Sequence, residues 1–279
     1  MNLKNQLLKL KELSVEEISN INLEVLTEQM LENIGDVNPE LRDHLIYSTF
    51  CRFIGNKLID YTRMENILET CISSEYLFYK IGEEKSDSVF TRSFSALCAQ
   101  LVLHLDIKEK FLPSSLADQA IQCSFHYLLQ EKDVRGYVED KGWAHSIAHG
   151  ADLVTTAILH PAFQSAYIPD ALQAILSCLL KNGVYTDDED ERLIFAIEAL
   201  LDNGMSDEIL GNWVGSVSDN LHEVFKKEGF SFHFYRIKTN IMNFLKSLYF
   251  RLGYIEYGEI SRGEIQSVLK KWHDAVYKR

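Results

Sequence analysis

Apolar residues recur along this chain at three- and four-residue steps almost from end to end, the spacing that lines one face of an α-helix. The leucines of the opening segment MNLKNQLLKLKELSVEE already follow it. Ser14 and Glu17 are spaced as a capping box, and Ile18, Ile21, Leu23, Val25, Leu26 and Met30 continue as an apolar stripe. Asn38 and Pro39 mark another start: the asparagine can accept free backbone N–H groups, and proline at the first helical position loses nothing by lacking its own. Leu41, Leu45, Ile46, Thr49, Phe50 and Phe53 form the stripe of that helix. The same reading predicts helices at about 61–73, 88–105, 113–130, 143–159, 169–180, 187–201, 206–227, 230–252 and 261–277, with Ser261 and Glu264 as a second capping box. Strand-like alternation is confined to FSFHFYR, at 230–236, and the helical spacing that follows makes this a helix start.

About eleven helices joined by short loops make consecutive helices antiparallel neighbours. The fold class predicted is all-α, an α/α superhelix (solenoid) of stacked antiparallel helix hairpins, HEAT/armadillo-like, with 1–279 as a single all-helical domain. IGDVNPELRDHLIYSTF, from Ile34 to Phe50, resembles a HEAT-type repeat, in which an Asp in the turn precedes Pro and a helix with Leu-Arg near its start. In that arrangement Asp36 accepts backbone N–H groups in the turn, and Arg42 reaches carbonyls or a carboxylate of a neighbouring pair. The other helix pairs do not repeat the motif cleanly, so the array is degenerate.

Charge narrows the classes of partner. A formal net charge of −13, with no basic stripe, argues against nucleic acid and anionic membrane surfaces. The N-terminal segment lacks the apolar core and cleavage site of a secretory signal, and no stretch is long and apolar enough to span a bilayer, so the expected setting is cytoplasmic. Five widely spaced cysteines, Cys51, Cys71, Cys98, Cys123 and Cys178, fit buried free thiols in a reducing compartment.

Three longer strings are more specific: IGDVNPELRDHLIY at Ile34 to Tyr47, RGYVEDKGWAHSIAHGADL at Arg135 to Leu153, and DDEDERL at Asp187 to Leu193. Together they resemble an uncharacterised bacterial family, a domain of unknown function with single-domain helical members. That resemblance implies fold class and cytoplasmic setting, and it brings no established activity.

The central string holds the candidate chemistry. His145, His149 and Asp152 stand at i, i+4 and i+7, which on a helix places all three on one face. Two imidazoles one turn apart, with a carboxylate on the next, are a way to hold a divalent metal. Asp133, Arg135, Tyr137, Glu139 and Asp140 precede them, near a helix start whose free N–H groups suit an anion, and Trp143 offers a stacking wall. The alternative is structural: Ala144, Ala148, Gly150 and Ala151 suit a close helix crossing, and the histidines then hydrogen-bond across it. Ser146 stands where a metalloprotease motif would have Glu.

The acidic run from Asp187 to Glu191 complements a helix N-terminus, with Arg192 able to pair at helical spacing. The aromatic residues after Phe225 fit the core of a terminal hairpin or a partner face. Two functions stay open. In one, the chain is a scaffold binding a protein, peptide or small ligand on a concave face around 143–152; in the other it is a metal-assisted hydrolase using His145, His149 and Asp152, with Asp140 or Glu139 as general base. The expected cofactor is none, or a divalent metal in the second case; partner identity and oligomeric state are not readable from the residues.

Overall fold

A computed structural model describes residues 2–18 and 21–277. Its α-helices are α1 (Leu3–Lys11), α2 (Val15–Ile18), α3 (Leu23–Glu32), α4 (Ser48–Gly55), α5 (Tyr61–Cys71), α6 (Ser88–Glu109), α7 (Ser114–Gln130), α8 (Ser146–Leu159), α9 (Ile168–Leu179), α10 (Glu189–Asp202), α11 (Asp207–Glu228), α12 (Phe232–Tyr254) and α13 (Glu259–Tyr277). The fold is all-α, and none of these helices is long and apolar enough to cross a membrane. The only strands among the described residues are β1 (Tyr137–Val138) and β2 (Gly142–Trp143), a small antiparallel hairpin. Where the sequence reading treats 1–279 as one body, contacts group the chain into two compact units, 1–163 and 164–279.

Side-chain caps set several of the boundaries. Ser14 and Glu17 exchange bonds as expected: the Ser14 N–H donates to the Glu17 carboxylate at 2.7 Å and the Glu17 N–H to Ser14 Oγ at 3.3 Å. The helix they open is short, however, because Asn22 starts a second one, its Oδ1 accepting the Glu24 N–H at 3.0 Å. The apolar stripe from Ile18 to Met30 is therefore divided between α2 and α3. Asn38 caps as predicted, accepting the Leu41 N–H at 3.1 Å, but the segment Glu40–Tyr47 winds as a π-helix before continuing into α4. Stripe spacing alone does not separate those windings over two turns. FSFHFYR is a helix start, with Ser231 Oγ accepting the Phe234 N–H at 3.0 Å. The expected Ser261–Glu264 box does not form. Helix α13 begins earlier, and Asp207 at the start of α11 accepts the Ile260 and Ser261 N–H groups at 2.7 and 3.0 Å.

In the first unit α6 is the central helix. It packs most extensively on α8 and also on α4 and α5, with α7 packed mainly against α8. The α7–α8 approach is close: a Cβ on Gly150 would lie 2.5 Å from Leu128 Cδ2 and 2.8 Å from Tyr127 Cε1, which is the small-residue crossing the sequence suggested. In the second unit α11 packs along α13, and α12 contacts α10, α11 and α13. The aromatic residues after Phe225 divide between roles. Phe234 and Phe244 are fully buried, whereas Phe232 and Tyr254 are 87% and 79% exposed.

The acidic run behaves partly as expected. Asp188 turns the chain into α10 with φ 66, and Glu191 pairs with Arg251 at 3.1 Å. Glu189, though, is buried, its carboxylate accepting the Asp187 N–H at 3.0 Å. Burial pushes its pKa up, and the backbone bonds only partly offset this. A carboxyl whose folded-state pKa is raised binds its proton more tightly in the native state, so its contribution is fully present below the ordinary carboxylate pKa and is lost as pH rises through the folded one. Glu189→Gln should therefore raise the melting temperature at neutral pH, with the difference from wild type vanishing at acidic pH; melting curves across pH read this directly.

Candidate functional site

The segment with the densest polar chemistry is a β-hairpin leading into α8, held against α6 and α7 by charges that are themselves buried. Arg92 lies near the start of α6 and is fully buried. Its Nε and Nη2 donate to the two carboxylate oxygens of buried Glu131 at 2.6 and 2.8 Å. Nη1 donates to the carbonyl of Tyr79 at 3.1 Å and to Ser88 Oγ at 2.8 Å, so one side chain also ties down the turn-rich stretch before α6. That stretch has no ladder of its own to satisfy its carbonyls. Burial pulls the Arg92 pKa down, but the bond to Glu131 and its charge outweigh this, leaving it above the ordinary value. Glu131 Oε1 also accepts the Lys132 and Asp133 N–H groups, both at 2.9 Å, and so fixes the chain leaving α7.

The next turn repeats this arrangement. Asp133 is buried and takes Nε and Nη2 of Arg135 at 2.8 and 2.6 Å, while the same Nη2 donates to the Ser86 carbonyl at 2.7 Å. Ser146 Oγ, buried, donates to the Asp133 carbonyl. Arg42, also fully buried, donates through Nη1 to the Asp36 carbonyl and through Nη2 to the Lys141 carbonyl, both at 2.7 Å. Its guanidinium lies 4.2 Å from the Phe90 ring centroid and 4.8 Å from that of Phe94. Arg42 thus reaches carbonyls, as read in the sequence, but those of its own turn and of the hairpin, not of a neighbouring helix pair. Asp36 Oδ1 likewise accepts the Asn38 N–H at 2.8 Å, closing the turn as expected.

The hairpin pairs Tyr137 with Trp143 and Val138 with Gly142. Its tip needs two left-handed residues, Asp140 with φ 62 and Gly142 with φ 73. At Gly142 a side chain is excluded twice, by that backbone and by Pro39 Cβ, 2.8 Å from where a Cβ would stand. The cross-strand rings of Tyr137 and Trp143 meet edge to face at 5.0 Å and stay 59% and 41% exposed. Glu139 and Asp140 are exposed at the tip, and Lys141 pairs with Asp87 at 2.7 Å.

One correction concerns where α8 begins. The sequence places Trp143, His145, His149 and Asp152 on one helix, but α8 starts at Ser146. Trp143 belongs to β2, and His145 is the N-cap in a left-handed conformation, φ 45 and ψ 37. Only His149 and Asp152 share a helical face by spacing. Ser146, Ile147 and Ala148 are buried, so the helix start does not offer its N–H groups to a solvent-borne anion. The histidines meet through ring contacts instead: Trp143 to His145 at 4.2 Å, His145 to His149 at 5.7 Å, and His149 to Phe94 at 5.3 Å. Phe94 in turn meets Tyr47 at 6.2 Å, so an aromatic file runs from the exposed hairpin to the interior. Burial, with the Cys51 and Cys98 thiols and Asp152 nearby, holds the Tyr47 phenol well above its usual pKa. His145, His149 and Asp152 are each half-buried. Imidazole nitrogens and a carboxylate are the donor types a divalent metal would use, but among the described residues the donor atoms of these three do not converge on one point.

A left-handed backbone costs a non-glycine residue about 1–3 kcal/mol and persists where the surroundings impose it. Here the His145 N–H donates to the Arg135 carbonyl at 3.1 Å, and the ring rests on Trp143. Both His145→Gly and His145→Ala remove the ring, but only glycine relieves the backbone. Urea unfolding should therefore find the glycine variant about 1 kcal/mol more stable than the alanine one; equal stability would contradict this reading of the turn.

Sequence reasoning found Arg135, Asp133, the hairpin residues and the histidines, and it missed Arg92, Glu131, Phe94 and Tyr47. The available signal was an arginine in the otherwise apolar and small run SVFTRSFSALC. His160 forms a separate buried pair: Nε2 meets Asp106 Oδ2 at 2.9 Å, and Nδ1 accepts the Ala162 N–H at 3.1 Å. That bond leaves Nδ1 without a proton, so Nε2 carries one and donates it to Asp106. All five cysteines are free thiols, Cys71, Cys98 and Cys178 buried and Cys51 and Cys123 partly so.

No curated protein and no solved structure matches the chain. Residues 77–250 match a family described as "Protein of unknown function (DUF2785)". The match takes in Arg92, Glu131, the hairpin, α8 and the acidic run, leaving the Asp36 turn and Arg42 outside it. It covers well over half of the chain, which belongs to this family of proteins of unknown function.

Proposed function

We propose that the chain is a helical binding scaffold whose β1–β2 hairpin recognises a protein or peptide partner. Tyr137 and Trp143 are the anchors, and Glu139 and Asp140 favour basic groups beside them. One observation carries the reading: an exposed aromatic pair stands on a hairpin braced by buried charges, Arg42, the Arg92–Glu131 pair and Asp133. Tyrosine and tryptophan dominate recognition hot spots, and a hairpin ordered in advance binds without paying for its own ordering. The hydroxyl nearest the histidines in sequence, on Ser146, is engaged with a backbone carbonyl, so the segment has no evident nucleophile there.

The family match crosses the division between the two units, which supports treating both as one module. A HEAT-like reading of the helix pairs, with 143–152 on a binding face, draws support from the Asp36 turn and the carbonyl bonds of Arg42. The five free thiols and the charge of −13 favour a reducing, cytoplasmic setting and disfavour nucleic acid or anionic membranes as partners.

The test is selection of peptides from a displayed random library on the wild-type chain. Binding of the selected peptides should fall about tenfold or more in Trp143→Ala and Tyr137→Ala, the loss of a hot-spot residue. Circular dichroism of both variants should match the wild type. Binding unchanged by either substitution would overturn the proposal. Stoichiometric zinc in untagged protein, lost on His149→Ala, would instead favour metal-assisted hydrolysis at His145, His149 and Asp152.

A further inference from the structure

In the second unit, α12 and α13 pack side by side and leave between them a groove of about 510 Å³. Its chemistry is opposite in sign to the protein as a whole. Lys238 and Lys246 line it from α12 and Lys270 from α13, with no carboxylate side chain in the lining, although the chain carries a net charge of −13. Asn243 and Gln266 add neutral hydrogen-bonding groups, and Met242 and Leu269 add an apolar surface.

Lys238 is the informative residue. It is buried, at 8% exposure, and its Nζ donates to a neutral partner, Tyr277 Oη, at 3.2 Å, lying 4.9 Å from the Tyr277 ring centroid. Among the described residues neither Lys238 nor Lys246 has a carboxylate at ion-pair distance, whereas Lys270 pairs with Asp274 at 2.6 Å. The stem of Lys238 is buried, while its ammonium reaches the groove at the hydroxyl of Tyr277, itself 61% exposed, with no carboxylate beside it. An anion in the groove would supply the missing charge.

The geometry points to a binding site for a small organic phosphate, independent of the hairpin in the first unit. The phosphate meets the ammonium groups of Lys238, Lys246 and Lys270, and the organic part lies on Met242 and Leu269 with Asn243 and Gln266 at its polar edges. Lys238 and Lys246, neither paired with a carboxylate, suit a phosphate, with Lys270 beside them shared with Asp274, and the volume falls in the range of small-molecule sites.

Adenosine monophosphate, inorganic phosphate and uncharged adenosine are the probes, titrated into the full chain by calorimetry at low and high salt. Adenosine monophosphate should bind at millimolar concentration or below, phosphate more weakly, and adenosine not measurably, with the affinity falling as salt rises. Lys246→Ala, at an exposed position, should weaken binding of the nucleotide about tenfold. Lys238→Met keeps the apolar stem and removes the uncompensated charge; it should abolish binding while leaving the melting temperature equal to or above that of the wild type. That pair of results separates a ligand-binding lysine from a structural one. No binding of either phosphate, equal binding of adenosine and its monophosphate, unchanged binding in Lys246→Ala, or a destabilised Lys238→Met would each overturn the proposal.

Discussion

Glu131→Gln is expected to cost the protein about 3–5 kcal/mol, the penalty of leaving one member of a buried ion pair without its partner. Arg92 and Glu131 are both fully buried and joined by two hydrogen bonds. Glutamine keeps the volume but removes the charge, and its amide N–H₂ would face a guanidinium that also only donates. The loss should appear as a lower urea midpoint with an unchanged slope. Replacing both residues with apolar ones restores less than such swaps often do elsewhere. Arg92 also satisfies the Tyr79 carbonyl, and Glu131 the Lys132 and Asp133 N–H groups, so the double variant strands backbone groups on both sides. A change below about 1 kcal/mol in Glu131→Gln would mean that water reaches the pair.

The second large effect is expected at Gly35, in the turn between α3 and the π-helical segment. A Cβ there would lie 2.6 Å from the Thr91 nitrogen and 2.7 Å from its Cα, both backbone atoms of α6. Side-chain clashes are relieved by changing rotamer, but this one requires moving the turn or the central helix. Overpacking of a core costs about 1–3 kcal/mol and occasionally more, and Gly35→Ala belongs at the upper end. At Gly55 a Cβ would meet nothing within 4 Å, so Gly55→Ala serves as the control, with stability equal to or above the wild type. Thermal unfolding of the two variants side by side tests the comparison, and equal losses would contradict it.

Much of the helical architecture was legible because it rests on local physics. Stripe period placed α5, α6, α7, α9, α10, α11 and α12 close to where they stand, with polar side-chain caps formed at α5, α11 and α12. The failures occurred where a distant residue decides. Ser261 and Glu264 have the right spacing for a cap, but Asp207 satisfies that helix end from another helix. The π-helical winding of Glu40–Tyr47 changes the number of residues per turn while keeping an apolar face.

The candidate site was legible in its residues and not in its shape. RGYVEDKGWAHSIAHGADL shows a polar segment before a helix, yet the strands of the hairpin are two residues each, too short for alternation to register. The helix start was misplaced because Trp143 to Ala148 has helical spacing, and nothing local announces that His145 takes a left-handed conformation. Arg92 and Glu131 are 39 residues apart, and their pairing follows from the packing that brings the end of α7 to the start of α6.

The central claim is that buried charges hold the hairpin ready for a partner, and amide hydrogen exchange of the Ala144 and His145 N–H groups tests it most directly. These donate to the Gly136 and Arg135 carbonyls at 2.8 and 3.1 Å, at the base of the hairpin. In the wild type they should exchange only through openings nearly as costly as those that expose α6, and in Glu131→Gln their protection should fall well below that of α6. Exchange in the wild type at the rate of an unstructured loop, or protection unchanged by Glu131→Gln, would contradict the account.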